Sequence, residues 1–190
     1  MSISSVKTGA IGDSLLAGNP SFIPTSFESI ATATGTGSSS TITFSSIPST
    51  YASLQLRING VANADTDQTA EITFNSDSGN NYTLHRLTGN GSSASAFGFT
   101  ASSGNKPYGW AYGGGTIPGV SIIDIHDYAS TTRNKTIRIL SGWDNNSSGR
   151  IELQSSVWLN TNAISSITIT NGNARNWTTS AVFSLYGIKG

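Results

Sequence analysis

Residues 38–61, SSSTITFSSIPSTYASLQLRINGV, decide the fold. Ile42 and Phe44 share one parity, while Thr41, Thr43 and Ser45 share the other. After a break, Leu54, Leu56 and Ile58 repeat the pattern, with Gln55, Arg57 and Asn59 opposite. Side chains alternate faces along a strand, so the stretch predicts two strands, each with one dry and one wet face. Between them, Pro48 fixes φ and lacks the N–H a ladder needs, so it separates the two.

The same pattern recurs outward from this stretch. Residues 28–34 open the periodic part. Ala70, Ile72 and Phe74 alternate with Glu71 and Thr73, and Tyr82, Leu84 and Arg86 oppose His85 and Leu87. Short strands are expected through Phe97 and Phe99, over residues 120–128 and 135–143, and from Ile151 to Trp158. Further strands follow around Ile164, Ile167 and Ile169 and over residues 181–188. Ile151, Leu153, Ser155 and Val157 form one face of their strand with Trp158 on the other, and Glu71 and Glu152 read as outward strand positions. Turn chemistry such as Asn75–Gly79 and Asp144–Gly149 separates the strands. About ten short strands at regular intervals predict an all-β protein, an antiparallel, jelly-roll-like β-sandwich. Residues 102–119, with Pro107, Pro118 and Gly113 to Gly115, are expected to be a long ordered loop with an aromatic patch, or a strand broken by glycines.

Residues 1–26 differ from the rest. They mix small residues with isolated apolar ones, among them Ile11, Leu15, Leu16, Phe22 and Ile23. The division expected is an extended N-terminal arm over 1–26 and a sandwich domain over 27–190. The arm reads either as a frayed terminus or as a segment that docks its apolar residues on a neighbour.

Composition narrows the function. Charged residues make up only 11 % and balance to a net charge of +0, which argues against a phosphate-tracking surface and so against nucleic acid. No apolar run is long enough for a membrane helix, and the N-terminus has no secretory core. The chain has 0 Cys, so disulfides and thiolate metal sites are excluded.

Chemical motifs are sparse. Asp124 and His126 share a strand face, with Asp127 beside them, but two ligands do not make a metal site and a solvent-facing polar row is the favoured reading. His85 is the other histidine, favoured as an ordinary strand-face residue. No G-x-S-x-G occurs, and neither histidine has triad spacing. We therefore expect no enzyme, no cofactor and no metal. Tyr108, Trp110 and Tyr112 are candidate ligand or interface aromatics, because ring faces stack on sugars and anchor interfaces.

Three ordered pieces carry a resemblance: TITFSSIPSTYASLQLR, ITFNSDSGNNYTLHRLTGNGSSAS and the closing FSLYGIKG. With the N-terminal LLAGNPSF, they resemble a family of tailed-bacteriophage virion β-sandwich proteins, of the capsid decoration (cement) or tail-appendage type, frequent in cyanobacterial and marine phages. The resemblance implies a non-enzymatic virion protein on the capsid surface, often a homotrimer, with the major capsid protein as partner and assembly in the host cytoplasm. The other role it implies is a tail-fibre or tailspike module that binds host surface polysaccharide. It transfers no catalytic residues.

Overall fold

Pro48 divides the decisive stretch between two layers. In a computed structural model, which describes residues 26–64, 66–113 and 117–190, the strand before Pro48 lies in one sheet and the strand after it in the other. Twelve strands are present among the described residues: β1 (Phe27–Thr34), β2 (Thr41–Phe44), β3 (Ser53–Ala62), β4 (Asp67–Phe74), β5 (Tyr82–Gly89), β6 (Ala94–Phe99), β7 (Tyr108–Gly113), β8 (Gly119–His126), β9 (Lys135–Asp144), β10 (Gly149–Trp158), β11 (Ile167–Asn171) and β12 (Val182–Ile188). The large layer runs β1-β12-β3-β8-β9-β10-β5-β6, and the small layer β2-β11-β4-β7. All pairings are antiparallel except a two-residue parallel join, Val61 and Ala62 of β3 with Tyr112 and Gly113 of β7, which links the layers without closing a barrel.

The alternation expected from sequence is what builds the core. Ile42 and Phe44 of β2 face Leu54, Leu56 and Ile58 of β3 across one apolar cluster, joined by Ile72 and Phe74 of β4 and Ile123 and Ile125 of β8. The sandwich-like all-β fold is thus as the sequence predicts. The additional strand is β7, which occupies part of the stretch read as a loop or a glycine-broken strand. Its glycines are placed by packing: a Cβ on Gly109 would run into the Ser121 side chain of β8, and one on Gly119 would meet the Ala111 backbone. Close approach of backbones, rather than a turn, is what these glycines serve.

Two polar groups brace the interior. Lys135 is fully buried, and its Nζ donates to the carbonyls of Ser130 and Arg133 at 2.7 Å and of Thr161 at 2.9 Å, so it ties two loops together. Burial lowers its pKa, against the pull of Asp127. At the same end, Trp158 lies buried between Phe74 (centroids 5.5 Å apart) and Tyr82 (6.3 Å), and its indole N–H donates to Asp77 Oδ2 at 2.7 Å. Burial alone would raise the Asp77 pKa. Hydrogen bonds from Trp158, Asn81 and the Gly79 N–H, with the charge of Lys106, outweigh it and leave the pKa lowered.

A carboxylate with a lowered folded pKa stabilises above its unfolded value, about 3.9, and that contribution is lost as pH falls through the lower folded value. Asp77→Ala should cost about 1–3 kcal/mol in urea unfolding at neutral pH, because it leaves a buried indole N–H unpaired. The variant should also lose less stability than wild type on acidification below pH about 4. Equal acid sensitivity in the two proteins would show that Asp77 is not part of the acid response.

Candidate functional site

The large layer has an inverted strand. Along β10, Glu152, Gln154, Ser156 and Trp158 are buried, each about 1 % exposed, whereas Ile151 and Leu153 stand 62 % and 55 % exposed. This corrects the expectation that Glu152 points outward. The parity is dictated by the neighbours: Trp158 pairs with Tyr82, Ser156 with Leu84 and Gln154 with Arg86, and directly paired residues share a face. Since Tyr82 and Leu84 must face the core, β10 can present Ile151 and Leu153 only outward. Glu71, the other glutamate read as outward, is half-buried, and burial raises its pKa against the opposing charge of Lys106.

Beneath the inverted strand, the interior is polar. Glu152 accepts from Thr88 Oγ1 at 2.8 Å and from Gln154, and lies 3.6 Å from Arg86. Arg86 also donates to the Tyr108 hydroxyl, and Gln154 donates to the Tyr108 carbonyl at 2.8 Å. Arg150 lies over the Trp110 ring, 4.4 Å from its centroid, and 3.7 Å from Asp67. Both oxygens of Glu152 are thus engaged in a clamp that holds β10 to β5 and β7. That arrangement suits a structural ion pair rather than a free acid or base. A small cleft of about 220 Å³ opens beside it, lined by Arg86, Thr88, Ser95, Phe97 and Arg150.

The sequence-selected aromatics meet at this end of the sandwich. Trp110 is only 5 % exposed, set edge-on to Tyr108 at 5.6 Å, and its ring face is covered by Arg150. Tyr112 is half-buried against Trp143 at 4.5 Å. A sugar could stack on Trp110 only by displacing the guanidinium. Asp124 accepts from Gln55 at 2.8 Å, Asp127 pairs with Arg133 at 2.6 Å, and among the described residues no three His, Cys, Asp or Glu gather as metal ligands. The arm residues Ile11, Leu15, Leu16, Phe22 and Ile23 lie outside the described residues.

The feature that sequence reasoning missed lies on the opposite surface of β10. Ile122 pairs with Leu140, Leu140 with Leu153 and Leu153 with Leu87 in one continuous row across β8, β9, β10 and β5. The next row reads Val120, Gly142, Ile151 and Gly89. All six large side chains are exposed, from 40 % at Ile122 to 62 % at Ile151. An open depression of about 860 Å³ spreads over Val120, Leu140, Gly142, Ile151 and Gly89. Arg57, at the border opposite Ile122, lies over the Tyr186 ring at 4.9 Å. The signal was available in the sequence: Arg86 and Thr88 share the parity of Tyr82, so a partner strand must offer them polar groups inside.

Comparison of the chain with protein-family models, with curated proteins and with solved structures finds no match.

The inverted parity gives an inverted mutational pattern. Glu152→Ala should destabilise by about 2–3 kcal/mol, below the about 3–5 of fully buried pairs because a fifth of Arg86 stays wet. Leu153→Ser, despite removing a large apolar side chain, should change monomer stability by less than about 0.5 kcal/mol. Chemical denaturation of the two variants under dilute conditions checks the pair, and a costly Leu153→Ser with a neutral Glu152→Ala would place the strand the other way round.

Proposed function

We propose that the protein is a structural component of a tailed-bacteriophage virion, a cement or decoration protein that binds the major capsid protein and stabilises the shell. The observation that carries this reading is the outer apolar face, which marks a chain built to work in an assembly, the capsid contact itself falling to the arm. Six aliphatic side chains in register across four strands form a contiguous patch, of the kind that marks a protein-docking surface. The motif resemblance supplies the context, and an all-sheet, Cys-free, charge-balanced sandwich suits repeated use in an assembly. The arm, through Ile11, Leu15, Leu16, Phe22 and Ile23, is the segment assigned to the capsid. Such a protein works by adding buried interface between neighbouring capsomers, so that opening the shell must also break those contacts. In this role it acts without a cofactor and without catalysis.

A second reading, a tail-fibre or tailspike module for host polysaccharide, is favoured by the cleft beside Ser95 and Phe97, where hydroxyl donors adjoin a 47 % exposed ring whose other face packs on Arg86 at 4.7 Å.

Immunogold labelling of particles should place the protein on heads. Deleting residues 1–22 should abolish attachment while the far-ultraviolet circular dichroism of the sandwich is retained. Label confined to tails, with polysaccharide binding lost in Phe97→Ala, would favour the second reading. Attachment that survives the deletion would remove the arm from the mechanism.

A further inference from the structure

The outer face is self-complementary. We propose that it is covered by a second copy of this chain, packed face to face about a twofold axis that runs along the strands between β9 and β10, a dimer in place of the homotrimer that the motif resemblance implies. This rests on reading the face as a protein-docking surface, and not on where in a virion the protein sits.

The strand register carries this pairing. A twofold axis so placed lays β9 of one copy over β10 of the other, and β8 over β5. The row Val120–Gly142–Ile151–Gly89 then meets itself reversed, so Ile151 of each copy stands over Gly142 of the other and Val120 over Gly89. Each large side chain meets a glycine gap, and the depression around Gly142 and Gly89 is the socket. The row Ile122–Leu140–Leu153–Leu87 meets itself as aliphatic on aliphatic. In the third row, Asp124 pairs with Arg138, Arg138 with Ser155 and Ser155 with His85, and reversal sets Asp124 over His85 and Arg138 over Ser155. The two Arg138 side chains flank the axis about 4.8 Å apart laterally, and each stands beside the Asp124 of its own copy, which offsets the like charge. A twist-related offset of about 30° between packed sheets shifts these pairs without changing the alternation of large and small.

Size agrees. Six strands from β3 to β6, about 4.8 Å apart and about 27 Å long, offer on the order of 800 Å² per copy. That is the footprint per partner of a standard stable interface. The dry centre with a polar border of Arg57, Asp124 and Arg138 follows interface anatomy. The pairing also accounts for the cost of the inverted strand, since Ile151 and Leu153 regain burial in the dimer.

The test is native mass spectrometry and analytical ultracentrifugation of the full chain, free of any shell. A dimer is expected at micromolar concentration. Leu153→Glu should give monomer. Gly89→Leu should weaken the dimer at least about tenfold, although it makes the face more apolar, because it fills the gap that Val120 enters. The monomer should accept that change, since a Cβ at Gly89 meets Ile151 at an ordinary 3.5 Å. Circular dichroism confirms that both variants fold. A monomeric or trimeric wild type, or a dimer that Gly89→Leu leaves unchanged or strengthens, overturns the proposal. Head or tail labelling has no bearing on these outcomes, so the two readings fail separately.

Discussion

The indole of Trp158 is held between Phe74 and Tyr82, and its N–H is fixed on Asp77. The Tyr82 hydroxyl in turn accepts from the Phe74 N–H at 3.0 Å and donates to the Asp77 carbonyl at 3.1 Å. This closed set of contacts sets the parity of β10, because side chains two apart share a face and a one-residue slip would reverse every one of them. Glu152, Gln154 and Ser156 are drawn inside with Trp158, and Ile151 and Leu153 are left outside. Area alone would favour the reverse. Burying Ile151, Leu153 and Val157 is worth about 1.5–3 kcal/mol each, against one tryptophan and three polar side chains. The register with β5 and β9 overrides that local preference, since Tyr82, Leu84, Ile137 and Ile139 must all face the core.

The two sides of the large layer are therefore coupled. Inside, Glu152 and the Gln154 amide nitrogen find partners in Arg86, Thr88 and Tyr108, while Ser156 Oγ and Gln154 Oε1 find none. Outside, the aliphatic residues forced outward require cover. A buried ion pair is a weak source of net stability, and an exposed apolar row contributes none until something packs on it. The isolated sandwich carries both costs at one end of β10. Association recovers the second. On this account a catalytic reading of Glu152 is unnecessary, because its oxygens are spent on holding strands together.

Legibility in the sequence varied with how local the deciding interaction is. The strands before and after Pro48, with Ile42, Phe44, Leu54, Leu56 and Ile58 inward, were readable because each strand alternates cleanly and its own pattern suffices. β10 is legible as a strand but its inward face is not, because IELQSSVW carries apolar residues on both parities and only its neighbours decide between them. β7 is hard to read because Gly113, which looks like a breaker, is small to admit the neighbouring Ala64 backbone, as Gly109 is for the Ser121 side chain. Tyr108, Trp110 and Tyr112 stand close together in sequence, but their surroundings, the Arg86 and Arg150 guanidiniums, come from strands distant in sequence. The outer row joins residues of four strands, and the sequence carries only its counterpart, the inward parity that Arg86 and Thr88 share with Tyr82.

The central claim is that the outward residues of β9 and β10 are interior residues of an assembly of like copies. Isotope-filtered methyl NMR on a mixture of labelled and unlabelled chains tests it most directly. The account predicts intermolecular contacts between the Leu153 methyl groups of one copy and those of Leu140 in the other. Intermolecular contacts to any other surface, with the Leu140 and Leu153 methyl groups seeing only water, would contradict it.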